Sequence, residues 1–180
     1  MRLIPTLLLI ALPLPALAEE DLTQYGTTNP EEMTLNRLVE RAAEGDVDMM
    51  VCANGYLATK SGRHEQARTI FEACAEAGWT QAMTWMSQLD HNGLGAEENP
   101  DRATEWSRRA AELGDPVGSF NHGIDMMRGR GVAKDVEGGR ALVDRAADEG
   151  LLIAQRLRAA DYDLDAVTPD ADEWKYAPMF

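Results

Sequence analysis

The sequence predicts an all-α fold, a short right-handed α-solenoid of stacked helical hairpins with helical caps. Three observations predict it. The 36 residues from Thr80 to Asp115 recur without a gap as Pro116 to Leu151, setting Gly93 on Gly129, Gly95 on Gly131, Arg109 on Arg145, Ala110 on Ala146, Ala111 on Ala147 and Gly114 on Gly150. The identities cluster at glycine and alanine, which bend a chain at fixed points and let neighbouring helices approach. Apolar residues also recur at helical spacing, as in the stripe Leu35, Leu38, Val39 and Ala42.

In chain order, residues 1–18 carry an early Arg2, an apolar run from Leu7 to Leu14, and Ala16-Leu17-Ala18 ahead of Glu19-Glu20-Asp21. This pattern predicts a secretory signal peptide with an A-x-A cleavage site. The run is short of the ~20 residues that span a bilayer, and Pro13 and Pro15 interrupt it. No stable membrane insertion is expected after cleavage. The product is expected to be secreted into a periplasm and to begin with a polar leader, 19–29. A helix over 30–45 follows, started by Asn29 as cap, Pro30 in the first turn and Glu31-Glu32 at the positive end of the dipole, and stopped by Gly45. Its closing RAAEGD echoes RRAAELGD one residue short, which makes it the second helix of an incomplete repeat and an N-terminal cap.

Residues 46–79 form a shorter first hairpin ending at Gly78, with the turn Thr59 to Ala67 and no GxG extension. The second hairpin, 80–115, predicts helices over Thr80 to His91 and Pro100 to Leu113, with Asn99-Pro100 as cap and first turn. The third, 116–151, predicts helices over Pro116 to Met127 and Asp135 to Glu149. Helices this short need packing by their neighbours to persist in water. Residues 152–162 predict a capping helix that turns polar along its length, and 163–180 an acidic, aromatic tail that lies back on the solenoid through Trp174, Tyr176 and Phe180.

The residues carrying the pattern are GLG at 93–95, GRGV at 129–132, RRAAELG at 108–114 and DRAADEG at 144–150. They resemble the Sel1-like repeat, a relative of the tetratricopeptide repeat, over roughly 35–160. In the first hairpin Gly55, Gly62, Ala67 and Phe71 resemble the small and aromatic positions of the tetratricopeptide unit. The resemblance implies a scaffold that binds a partner protein or peptide on the concave face lined by the first helices. With Gly123 at the small contact position, the family pattern places Val117, Phe120, Ile124 and Met127 towards that groove. The 36-residue shift adds Gln81, Thr84, Gln88 and His91. Packing of Val117 to Met127 beneath the final helix or the tail is the alternative.

Cys52 and Cys74, the two cysteines of the chain, sit nearly level across the turn at Gly62. A bridge between them would resemble the staple of the cysteine-rich secreted branch of Sel1-like proteins. The alternative is two buried thiols. The formal charge of -14 disfavours nucleic acid and anionic lipid as partners. Cofactors are not expected. Grouped methionines at 49–50, 83, 86 and 126–127 serve better as adaptable packing than as a copper face. His64, His91 and His122 have no metal-ligand spacing. Asp161, Asp163, Asp165 and Asp172 resemble the opening of a calcium loop, but Ala166 stands where such a loop needs glycine. No serine stands in GxSxG or three residues before lysine. An enzyme acting on β-lactam or cell-wall amides and a self-associating subunit are the rival readings.

Overall fold

The structure, a computed structural model, describes residues 33–167. The expected signal peptide and leader, Asn29 to Glu32 and the aromatic residues Trp174, Tyr176 and Phe180 lie outside the described residues. Among the described residues eight helices alternate in direction: α1 Leu35–Ala43, α2 Met49–Lys60, α3 His64–Glu76, α4 Thr80–His91, α5 Pro100–Glu112, α6 Pro116–Arg128, α7 Val136–Asp148 and α8 Leu152–Ala159. A 3-10 turn, Leu164–Ala166, follows. The starts are chemically enforced. Thr34, Asp48, Asn99, Asp115 and Asp135 each accept a backbone N–H of the first turn, and Pro100 and Pro116 preset its dihedral angle. The described first helix therefore begins at Leu35 under a Thr34 cap.

Helices pack as the hairpins α2/α3, α4/α5 and α6/α7, with each second helix also against the next first helix. The facing register follows side-chain volume. Gly55 lies against the ring of Phe71, Ser107 donates to Ser87 at 2.8 Å, and Gly123 lies against Gly139 and Val143. Because 71, 107 and 143 are 36 apart, positions 55, 87 and 123 are equivalent. This fixes the register of the first hairpin, and its shorter turn explains its lower length.

All seven glycines expected to bend the chain, Gly78, Gly93, Gly95, Gly114, Gly129, Gly131 and Gly150, have positive φ. At two of them space is also decisive. A Cβ on Gly95 would lie 2.7 Å from the carbonyl carbon of His64, and one on Gly131 would overlap the carbonyl of Pro100. His64 and Pro100 are 36 residues apart, so the same loop-on-helix contact ties each extended turn to the first turn of the preceding second helix. Ala110, Ala111, Ala146 and Ala147 are buried where helices cross. Gly118 shows why, since its Cα approaches Ala110 and Ala111 too closely for a larger residue.

Two apolar clusters fill the interior. The first holds Leu38, Ile70, Phe71, Met83 and Leu89, and the second Phe120, Ile124, Val143, Ala146 and Leu157. Between them α4, α5 and α6 contribute buried polar side chains. Asp90, fully buried, accepts from Arg68 Nη1 at 2.7 Å and from Arg102 Nε at 2.7 Å. His91 Nε2 pairs with Asp125 Oδ2 at 3.0 Å, and Thr104 with His122 Nδ1 at 3.1 Å. Arg145 reaches back to Ser119 Oγ at 2.6 Å.

Cys52 and Cys74 are joined by a disulfide between α2 and α3. The equivalent pairs in later hairpins are Thr84 with Ala110 and Phe120 with Ala146, all of them buried. Reduction is expected to lower stability by on the order of 3 kcal/mol. Melting curves with and without reductant check this, and an equal shift in the Cys52→Ser/Cys74→Ser double variant would attribute the loss to some other effect of the reductant.

The last helix ends earlier than expected. Asp161 and Tyr162 adopt left-handed conformations, φ 52° and 60°, and Tyr162 N–H returns to the carbonyl of Leu157 at 2.9 Å. The turn swings Tyr162 onto α7, where its hydroxyl donates to Asp144 at 2.7 Å and its ring lies under Arg140. Val167 is buried in the second cluster and Arg128 holds the carbonyl of Leu164. Residues 160–167 thus complete the cap rather than extend the helix.

Candidate functional site

The expected groove residues do not form an open surface. Val117, Phe120, Ile124 and Met127 are buried in the second cluster, because α7, α8 and Val167 cover them. This corrects the expectation that they face a partner, and it matches the packed alternative. Thr84 is buried and donates its hydroxyl to the carbonyl of Gln81 at 2.8 Å, while His91 is buried against Asp125. Gln81 and Gln88 are half-buried. The structure therefore brings these eight residues into the body of the stack, with two glutamines at its edge.

Exposed large apolar side chains stand singly at Met33, Leu113, Val136 and Leu152 and are grouped on α2. Met49, Met50 and Leu57 are 48%, 44% and 59% exposed, with Ala53 exposed between them. Successive turns of one helix carry Met50, Ala53 and Leu57, so they form one stripe. Its ends are charged: Asp46 and Asp48, both bound by Arg41 at 2.7 and 2.9 Å, at the start, and Lys60 over the ring of Tyr56 at the close. The Arg41 guanidinium holds the carboxyl of Asp46 below the usual carboxylate range. For Asp48 the Val51 backbone N–H does so first and Arg41 second. A readable signal for this surface existed in MMVCANGYLATK, where Met50 and Leu57 add apolar side chains to a face other than that of the buried Val51, Cys52, Gly55 and Ala58.

The buried polar layer offers little open chemistry. Among the described residues no group of three or more His, Cys, Asp or Glu side chains converges as metal ligands would, and no helix is long and apolar enough to cross a membrane. Burial pushes the imidazole of His122 below its ordinary range, and the Asp125 carboxylate only partly offsets this. The unfolded chain therefore binds the extra proton, so this contribution to stability is complete above the ordinary value of 6.5 and is lost as pH falls below it. Melting temperature is expected to fall from about pH 7.5 to about pH 5.5, and less steeply in His122→Gln. An unchanged slope in that variant would remove His122 as the cause.

The Sel1 repeat family matches the chain twice, at residues 80–115 and 116–151. No curated protein matches the sequence. Among solved structures, a Sel1 repeat protein from Oxalobacter formigenes is 24% identical with a TM-score of 0.58, over 71% of this chain and 97% of its own. The cysteine rich protein B of Helicobacter pylori is 16% identical with a TM-score of 0.56, over 73% and 98%. A protective antigen of uropathogenic Escherichia coli strains with an SLR fold is 22% identical with a TM-score of 0.52, and 83% of this chain spans only 36% of it. These structures share the architecture built above from the 36-residue period, its glycine turns and its alanine crossings. The chain thus carries Sel1 repeats at 80–115 and 116–151 and folds as an all-helical Sel1-repeat solenoid.

Proposed function

We propose that this protein is an exported interaction scaffold of the cell envelope, binding a partner protein or peptide. The observation that carries the reading is the exposed Met50–Ala53–Leu57 stripe on α2, since an apolar stripe on an otherwise acidic surface marks a contact site. Sel1 repeats in general mediate protein–protein interaction, and α2 packs on α3, which packs in turn on α4, the first helix of the matched repeats. Export is supported by the signal-like residues 1–18 and by the disulfide, a bond that persists in oxidising compartments.

The experiment is in-cell crosslinking and affinity capture of the tagged chain from the envelope fraction, beside a Met50→Asp/Leu57→Asp variant. Both positions are exposed, so the variant is expected to melt with the parent. A protein crosslinked to the parent and lost from the variant supports the scaffold reading at this face. Capture that ignores the variant removes α2 as the contact. A product in the cytoplasmic fraction that retains residues 1–18 removes the export reading.

A further inference from the structure

The stripe on α2 has counterparts in the other first helices, and their surroundings say what it lacks. With position 55 equivalent to 87 and 123, Ala53 corresponds to Trp85 and Asn121, and Leu57 to Leu89 and Asp125. Leu57 is 59% exposed, whereas Leu89 and Asp125 are 0% and 1% exposed. Ala53 is exposed, whereas Trp85 and Asn121 are buried. At the later positions part of the cover comes from the first helix one repeat earlier, and Trp85 is also stacked on Phe71 of the second helix α3 at 5.7 Å. Trp85 of α4 meets Tyr56 of α2 edge to face at 5.5 Å, and Asp125 of α6 meets His91 of α4 at 3.0 Å. Before α2 the described chain supplies α1, a second helix, with no first helix to pair with it.

We infer that the Ala53–Leu57 face seats an α-helix of a partner protein, which docks as the missing first helix of the half hairpin begun by α1. This rests on the scaffold reading above and names the kind of partner. The occupant is a helix because each equivalent face in the stack is covered by a helix. It is amphipathic, with apolar residues at helical spacing, because the stripe it meets is Met50, Ala53 and Leu57. Of the chain's own flanking segments, residues 1–18 are removed in the exported form proposed above, and the others do not have that character. Residues 19–32 read EEDLTQYGTTNPEE, with Gly26 and Pro30 and only Leu22 and Tyr25 apolar. Residues 168–180 contain Pro169 and Pro178. Stacking of a second copy head to tail is opposed by Tyr162 and Val167, which cover the other end of the stack.

The test uses the full exported chain and a synthetic peptide copying residues 47–61 with Cys52→Ser. That peptide is a first helix whose forward face already carries an apolar neighbour through Tyr56. Expected results are saturable binding, a gain of helical far-ultraviolet dichroism by the peptide, and binding at least 10-fold weaker, or about 1.4 kcal/mol, to Leu57→Asp and to Ala53→Arg with melting unchanged. Absence of saturable binding, binding without gained helicity, or equal binding to both variants overturns the inference. A photo-crosslinker at position 57 that marks residues 19–32 of the same chain, or a second copy, also overturns it. Partner capture lost in Leu57→Asp while the peptide fails to bind leaves the docking face and removes the helical mode. A helical peptide complex with partner capture unchanged supports the seat and removes the scaffold reading at this face.

Discussion

Gly131→Val is expected to destabilise the fold by on the order of 4 kcal/mol, from two sources that act at one atom. The backbone at Gly131 has φ 70°, a conformation that a β-branched residue adopts only with strain. A Cβ there would also overlap the carbonyl of Pro100, which is backbone and cannot rotate aside. Gly45→Val separates the two sources. Gly45 has φ 79° and open space around the place of a Cβ, so it is expected to lose only the conformational share, about 1–2 kcal/mol. Urea unfolding of both variants is the measurement. Equal losses would mean that docking of the GxG turn on the first turn of α5 contributes nothing.

Asp90→Ala is the second large effect, expected at about 3–5 kcal/mol. Asp90 is fully buried and shared by two guanidinium groups, and the Arg68 side chain is only 10% exposed. Removing the carboxylate leaves Arg68 charged in the interior with the carbonyl of Leu94 as its remaining acceptor. Pairing Asp90→Ala with Arg68→Met is expected to recover much of the loss, because the cost lies in the orphaned charge rather than in a missing attraction. Denaturant midpoints check both, and a double variant no better than the single one would sink the argument. By contrast Arg108, paired with Glu105 and Glu112 on the exposed face of α5, is expected to change stability by less than about 1 kcal/mol when replaced by alanine.

The helices of the second and third hairpins were legible because their boundaries are written locally. Asn99-Pro100 starts α5, Asp115-Pro116 starts α6 and Asp135 starts α7, and glycines that need positive φ follow their ends, whereas α4 begins without a side-chain cap. The end of α8 was not legible in this way. Asp161 and Tyr162 carry left-handed conformations with no glycine to announce them, held by the contacts of Tyr162 with Asp144 and Arg140. The misplacement of Phe120 and Ile124 has a different cause. A family pattern assigns a side chain to a face of its helix, but Phe120 stands at the position of Cys52, which faces the second helix of its own hairpin, and the second cluster gathers Phe120 and Ile124 with side chains of α7, α8 and Val167. Leu57 and Leu89 make the same point with one residue type at one repeat position, exposed in the first and buried in the second. Neither propensity nor period distinguishes them.

The buried polar side chains of α4 to α6 give the stack a seam between its two oily halves. In an array where each unit touches only its neighbours, cohesion is a sum of interface terms. An oily interface weakens gradually as area is lost, whereas a hydrogen-bonded one depends on alignment and fails within a fraction of an ångström. The junction carrying His91–Asp125 and Thr104–His122 therefore behaves as a brittle joint: stiff to small displacements, then yielding at once. Opening of the array is expected to concentrate there, leaving the disulfide-tied half and the Tyr162-capped half as two separately cohesive pieces, and amide exchange that is faster at the α4–α6 junction than in either half would show it.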